Sequence, residues 1–355
     1  WIIKEEIIMN KVLEQDLELI IQQDIKWERL RGKTVLVTGA SGMIGSYMLN
    51  VFARLNDKND YNIHMVAMLR NPNKLSKELR ERKDVDICQN DVTQQIEIPR
   101  DIHYVIHAAS PASPLIMQNQ PVETIAANTI GTFNTLTLAK EKKAEGYLFI
   151  SSREIYGQPE ESQEFFYENT YGFVDQLNPR SCYSEGKKAA ETMCVCFKEE
   201  YGLNVKIARL AHTYGPGMSM YDGRVQADFL NNVYHNENIV LKSEGTAIRT
   251  YTYIADAIAG LLRVLLNSDE MVYNVGDENG KVSIRQLAEI MVGIYPEKGL
   301  KLVFDIPKEG TKGTAPYTLG IVNSEKLRSI GWRPQITIEE GFKRTLKYFE
   351  LEGEQ

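Results

Sequence analysis

The sequence predicts a doubly wound α/β protein, an open parallel sheet covered by helices on both faces, with a smaller C-terminal lobe. Three observations carry that expectation. Short β-branched runs alternate with helical runs from Lys33 to about residue 215. The first strand runs straight into a glycine-rich turn and a helix, Thr38-Gly-Ala-Ser-Gly-Met-Ile-Gly45. Beyond residue 215 the alternation loosens into short strands mixed with helices.

Composition narrows the class. Of 355 residues, 43% are apolar and 25% charged, ordinary values for a globular protein with a sizeable core. A net charge of −7 argues against a nucleic-acid surface. No apolar run approaches a membrane span, and the start of the chain has no basic stretch followed by an uninterrupted apolar core. Cys88, Cys182, Cys194 and Cys196 show neither metal-ligand spacing nor a disulfide framework. Buried thiols in a reducing compartment are expected, with no metal site. The expectation is a cytoplasmic protein with neither nucleic acid nor membrane as a partner.

Taken in order, Val12, Leu13, Leu17, Ile20 and Ile21 recur at helical spacing, giving an amphipathic helix that packs on the domain or on a partner subunit. Met9 is a candidate natural start. Lys33–Thr38 reads as a buried strand. In the turn after it, Gly39 makes the bend, Gly42 lets backbone approach a pyrophosphate, and Gly45 lets the helix pack on the strand. Ser41, Met43 and Ile44 complete that turn and helix start, where free N–H groups face phosphates. The second strand, Ile63–Leu69, ends at Arg70. An acidic residue there would hold the ribose of NAD, whereas an arginine accepts the 2′-phosphate of NADP. Arg70 therefore hints at NADP, the alternative being an arginine that merely faces solvent.

The third strand, Val85–Cys88, leads to Asp91 and Val92, which can reach an adenine. The fourth, Tyr104–His107, ends in Ala108, Ala109 and Ser110, small residues that let a cofactor lie close. A helix from Val122 to Lys143 carries Asn128 and Gly131. The fifth strand, Tyr147–Ile150, ends in Ser151-Ser152-Arg153-Glu154, and the sixth, Asn204–Leu210, in Ala211-His212. Ligands of parallel sheets bind beyond the carboxyl ends of strands, so Ser152 and Glu154 fall in that crevice. The expected divisions are a helical extension (1–30), a nucleotide-binding domain (31–215, with 235–260 returning to it) and a mainly substrate-binding lobe (216–355).

Tyr183 and Lys187 sit four apart at the start of a helical run, which puts both side chains on one face, about 5–6 Å apart at Cβ. A tyrosine ionises near pH 10. A neighbouring ammonium favours the phenolate, making a general base for a hydroxyl proton. Alone, the spacing far more often marks a solvated helix face. The glycine turn upstream and the strand end at Ser152 give it company.

With these pieces assembled, the chain resembles the extended short-chain dehydrogenase/reductase superfamily, and within it the nucleotide-sugar branch of decarboxylases, 4,6-dehydratases and 4-epimerases. The resemblance runs from about Lys33 to Phe349. It rests on Thr38-Gly-x-x-Gly-x-x-Gly45, Tyr183-x-x-x-Lys187, Tyr214-Gly-Pro216 and Arg249 in Gly245-Thr-Ala-Ile-Arg-Thr-Tyr251. The UDP-glucuronate decarboxylases look most similar, through Ala109-Ser-Pro-Ala-Ser-Pro114, Arg180-Ser-Cys-Tyr183 and Asp222-Gly-Arg-Val225. The resemblance implies NAD (or NADP) as cofactor, a nucleotide-diphosphate sugar as substrate, and a homodimer. It implies Tyr183 as base, Lys187 as its partner and ribose anchor, Ser152 as hydroxyl donor and Glu154 at the decarboxylase glutamate position. Arg153, Arg180, His212, Arg224 and Arg249 fall on the substrate side.

Two residues depart from the pattern. Arg153 stands where decarboxylases carry serine and dehydratases an aspartate acid, which counts against dehydration. His212 replaces an asparagine that contacts the sugar diphosphate, and is either a donor there or a structural residue. The expected reaction begins with oxidation of the sugar at C4, followed by decarboxylation, epimerisation or dehydration. Arginines 153 and 249 favour a glucuronate. A cofactor-binding sensor without catalysis is the alternative from another class, and such proteins typically lack the Tyr/Lys pair.

Overall fold

The computed structural model describes residues 10–160, 163–306 and 321–353; Met9 lies outside them. Strands are β1 (Thr34–Thr38), β2 (His64–Leu69), β3 (Val85–Gln89), β4 (Tyr104–His107), β5 (Gly146–Ser152), β6 (Val205–Leu210), β7 (His212–Tyr214), β8 (Ile239–Leu241), β9 (Ile248–Tyr253), β10 (Val272–Val275), β11 (Lys281–Ser283) and β12 (Leu302–Phe304). Helices are α1 (Lys11–Ile21), α2 (Met43–Asn59), α3 (Lys77–Arg80), α4 (Pro114–Asn119), α5 (Pro121–Glu141), α6 (Cys182–Tyr201), α7 (Val225–Tyr234), α8 (Ile254–Asn267), α9 (Ile284–Gly293), α10 (Glu325–Ser329) and α11 (Ile338–Gly353).

Seven strands form one parallel sheet in the order β10-β6-β5-β4-β1-β2-β3. The chain winds outward from β1 to β3, then crosses back to β4 on the other side of β1. That reversal opens a crevice at the carboxyl ends of β1 and β4, where parallel sheets take their ligands. Register brings Thr38 opposite His107, so the glycine turn and the Ala108–Ser110 segment leave the sheet side by side.

The expected α/β class holds, with one correction. Val272–Val275, read from the sequence as part of the C-terminal lobe, is the seventh strand of the main sheet, parallel to β6. Helix α8, which precedes it, is buried from Ile254 to Leu266. The segment that returns to the sheet is thus Ile254–Val275 rather than 235–260, whose strands β8 and β9 pair within two small sheets, β12-β8 and β11-β9-β7. A four-residue strand carries no local mark of its sheet; its partners are chosen by distant contacts.

Helix α1 packs on this same chain. Its Leu17 and Ile20 are fully buried, and so is Asp16. The Asp16 carboxylate accepts hydrogen bonds from Tyr47 on α2 (2.7 Å) and Tyr253 on β9 (2.6 Å) and pairs with Arg344 on α11 (2.8 Å). One carboxylate therefore ties the N-terminal helix to the sheet domain and to the last helix. Among the described residues no helix is long and apolar enough to cross a membrane.

Removing one partner of a buried ion pair strands the other, at a cost of about 3 kcal/mol. Asp16→Ala is expected to lower stability by about that amount in thermal or urea unfolding. Glu14→Ala, which removes a half-exposed partner of Arg54, should stay within about 0.5 kcal/mol.

Candidate active site

The turn after β1 has the shape its glycines predict. Gly39 takes φ +66°, and a side chain there would meet the Ala109 backbone at 2.9 Å. At Gly45 a Cβ would lie 2.3 Å from the Gly39 carbonyl, so helix α2 can approach the turn only because that carbon is missing. Gly42 is the N-cap of α2 and Met43 its first residue; Ser41 and Ile44 flank them. The first turn of this helix leaves backbone N–H groups without intrahelical partners, a cradle for phosphate.

Beneath this cradle lies a buried polar chain. Ala109 N–H donates to Thr38 Oγ1 (3.2 Å), which lies 2.8 Å from His107 Nδ1. His107 Nε2 lies 3.2 Å from Thr132 Oγ1, which donates to the Asn128 carbonyl (2.6 Å). Thr132 spends its one proton on Asn128, so Nε2–H donates to Thr132; in the neutral ring Nδ1 is then the acceptor, and Thr38 donates to it. Burial and then the Lys187 charge push His107 down to about 3, so the ring is neutral, as the chain requires. Asn128 also accepts from Ser110 (2.8 Å), which locks α5 to the end of β4. Val92 packs toward Gly131 of α5, where a Cβ would meet its Cγ2 at 2.7 Å.

Helix α6 delivers Tyr183 and Lys187 to this crevice, both buried. Lys187 Nζ donates to the Ile150 carbonyl on β5 (2.7 Å) and lies 4.6 Å from the Phe149 ring centroid and 5.8 Å from that of Tyr183. Burial lowers the ammonium to about 7, opposed by the nearby Glu191 carboxylate. Burial pushes the Tyr183 phenol up to about 12; the Glu154 charge adds to this, and a hydrogen bond with Ser152 acts against it. The sequence predicts that Lys187 lowers Tyr183. In this structure burial outweighs any such help, and the ammonium gives its hydrogen bond to the strand instead.

The other expected residues form two groups. Glu154 pairs with Arg180 at 3.0 Å beside Tyr183, and both charges act on the phenol. Arg153, Arg224 and Arg249 act together on His212 and on the buried Tyr251. Arg224 donates to the Ala112 carbonyl and pairs with Asp222 (3.4 Å), while Ser113 donates to the Asp222 carbonyl (3.1 Å). The two segments around Ala112 and Arg224, far apart in sequence, therefore meet. Arg70 stands apart at the end of β2, exposed, 3.8 Å from Asp91.

Sequence reasoning assigned no role to Thr38, His107, Thr132, Glu191 or Arg209. Glu191 accepts from Ser151 (2.5 Å) and from Arg209 (2.7 Å) directly behind Lys187. Its signal was available: it lies one helical turn beyond Lys187 on the same face.

Comparison with known proteins now has a geometry to meet. The family model described as NAD dependent epimerase/dehydratase matches residues 35–276. The chain belongs to that family. It is 31% identical over 329 residues to UDP-glucuronic acid decarboxylase 1 of Xenopus tropicalis, covering 91% of this chain and 73% of that protein. UDP-glucose 4-epimerase of Thermotoga maritima, solved with UDP-glucose, shares the fold at TM-score 0.74 and 23% identity, over 90% of this chain and 99% of that one. So does dTDP-glucose 4,6-dehydratase of Bacillus anthracis, solved with NAD, at TM-score 0.71 and 19% identity, over 91% and 98%. The resemblance drawn from the motifs is borne out: this is an enzyme of the extended short-chain dehydrogenase/reductase type.

The glycine cradle fits the family's dinucleotide, since Gly39 and Gly45 are closed to any side chain and α2 begins at the turn. A desolvated phenol should not ionise at neutral pH. In a spectroscopic pH titration of the protein without added nucleotide, the tyrosinate signal lost in Tyr183→Phe is expected only above pH 10. A Tyr183-dependent tyrosinate at pH 8 would contradict the burial assigned here.

Proposed function

We propose that this enzyme oxidises a nucleotide-diphosphate sugar at C4 and that its substrate is a nucleotide glucuronate, which it decarboxylates. The observation that carries the reading is the convergence of three guanidiniums, Arg153, Arg224 and Arg249, on His212, with Arg224 acting on Tyr183 as well. A diphosphate alone needs fewer cations than a diphosphate and a carboxylate. The similarity to UDP-glucuronic acid decarboxylase 1 supports the same choice, and in this chain the two segments that resemble decarboxylase motifs meet around Ala112 and Arg224.

In the proposed mechanism Tyr183, a neutral phenol in this structure, becomes a phenolate under the combined positive charges of Lys187 and a bound nicotinamide. It takes the proton of the C4 hydroxyl, with Ser152 sharing the hydrogen bond. NAD held by Gly39–Gly45, Ser110, Asn128 and Lys187 would supply a hydride acceptor at C4 that is regenerated, so no oxidant is consumed. Lys187 stabilises the phenolate as the proton moves. Oxidation turns the C6 carboxylate into a β-keto acid. The C5–C6 bond then breaks, its electron pair passes into the C4 enolate, carbon dioxide leaves, and a proton is added at C5. Tyr183 and Ser152 face the developing charge on the C4 oxygen. Glu154, held by Arg180, is the second candidate for proton transfer. Arg153 occupies the place where elimination of a hydroxyl would need an acid, which disfavours dehydration.

Arg70 lies beside Asp91, where its charge favours an added phosphate and the carboxylate opposes one. The family model supports NAD. A homodimer fits the outward faces of α5 and α6, where Val122, Ile130, Phe133 and Val195 are exposed.

Incubation with UDP-glucuronate, UDP-glucose and dTDP-glucose, followed by weighing the products, tests the reaction. The expected result is loss of carbon dioxide from the glucuronate alone. Loss of water from a hexose, or an unchanged mass with a shifted chromatographic peak, would replace decarboxylation by dehydration or epimerisation. Arg70→Asp is expected to weaken NADP at least about tenfold relative to NAD, by loss of one charge contact. An unchanged ratio of dissociation constants would remove Arg70 from the cofactor site.

A further inference from the structure

The two residues that depart from the expected family pattern touch each other. Arg153 Nη2 lies 3.3 Å from His212 Nε2. They come from different strand ends, Arg153 just after β5 and His212 at the start of β7, and are far apart in sequence. A guanidinium has only donors, so the imidazole nitrogen accepts, and the ring proton sits on Nδ1. That atom is buried without a hydrogen-bond partner among the described residues, although the Thr250 backbone is near enough to act on the ring. Burial and the charges of Arg153, Arg224 and Arg249 keep the ring neutral, and only a neutral ring can accept from Arg153. Packing against Tyr251, at 5.9 Å between centroids, limits the ring's tilt. Arg153 itself is only 9% exposed, so its contacts set the plane of its guanidinium. A planar fork binds a carboxylate through two N–H groups only when its plane is correct.

We propose that His212 is a positioning residue for substrate choice: by accepting from Arg153 it fixes that guanidinium to receive the C6 carboxylate of the sugar. The proposal rests on the nucleotide-glucuronate reading for its ligand, but not on the reaction that follows. A histidine serving only as packing would leave ligand choice untouched when replaced by another residue that keeps the fold.

The test is calorimetric binding of UDP-glucuronate and UDP-glucose, which differ at C6 alone, to the NAD-loaded enzyme carrying Tyr183→Phe throughout so that neither sugar is consumed; wild type here denotes intact Arg153 and His212. The wild type is expected to prefer the glucuronate by about tenfold or more, the value of one charge-assisted contact. His212→Ala should lose most of that preference, the glucuronate losing more affinity than UDP-glucose, with an unchanged thermal unfolding midpoint reporting a folded protein. His212→Gln, which keeps an acceptor, should restore part of it. Arg153→Ala should abolish the preference, and adding His212→Ala to it should change nothing further. Equal losses for both ligands in His212→Ala, additive losses in the double variant, or no preference in the wild type would each overturn the proposal. Should the alanine variant not fold, a His212→Gln protein that binds both sugars more weakly by the same factor would overturn it equally. A preference for the glucuronate, without release of carbon dioxide by the enzyme that retains Tyr183, would uphold the positioning role and refute the proposed reaction, so the two fail separately.

Discussion

A buried ammonium must find its partners inside the protein, and the way Lys187 does so sets the geometry of the site. Its hydrogen bond to the Ile150 carbonyl pins helix α6 to strand β5 near the strand's end. Tyr183, one turn earlier on the same face, then lies over Ser152, the last residue of β5. Behind the amine, Glu191 is held by Ser151 and Arg209, so the carboxylate nearest the ammonium cannot swing away. The parallel sheet supplies the strand end, and the helix supplies the spacing. Neither alone would bring phenol, hydroxyl and amine together.

Burial shapes the chemistry as much as contact does. It raises the phenol and lowers the amine, moving both towards their neutral forms. Such a pair is poised to respond to charge entering the crevice, because a low dielectric magnifies each new interaction. Around His212 the balance is cationic, with the ring kept neutral among three arginines. The proposed substrate brings negative charge to that group and a hydroxyl to Tyr183.

Much of this was legible in the sequence because it is local. The glycine turn, the Tyr183–Lys187 spacing and the strand ends at Ala108 and Ser152 depend on neighbours within a few residues, and the structure places them as their spacing predicts. What escaped depends on distance along the chain. The seventh strand, Val272–Val275, is defined by a partner more than sixty residues earlier. The Asp16 clamp joins three helices and a strand. The Arg153–His212 contact forms only where the segments after β5 and β6 converge, and the Glu154–Arg180 pair only when the long connection from β5 to α6 folds back on itself. The expected effect of Lys187 on Tyr183 failed for another reason: spacing fixes which face a side chain shares, but not how dry that face becomes.

The central claim is that the site oxidises the sugar at C4. The most direct measurement uses UDP-glucuronate carrying deuterium at C4, with the rate and the label position both followed. The expected result is a slower turnover than with unlabelled substrate and, in samples quenched during turnover, deuterium on the nicotinamide before it returns to C4, because the C4–H bond is broken and remade within one enzyme complex. Turnover with no isotope effect and no deuterium ever found on the nicotinamide would contradict it.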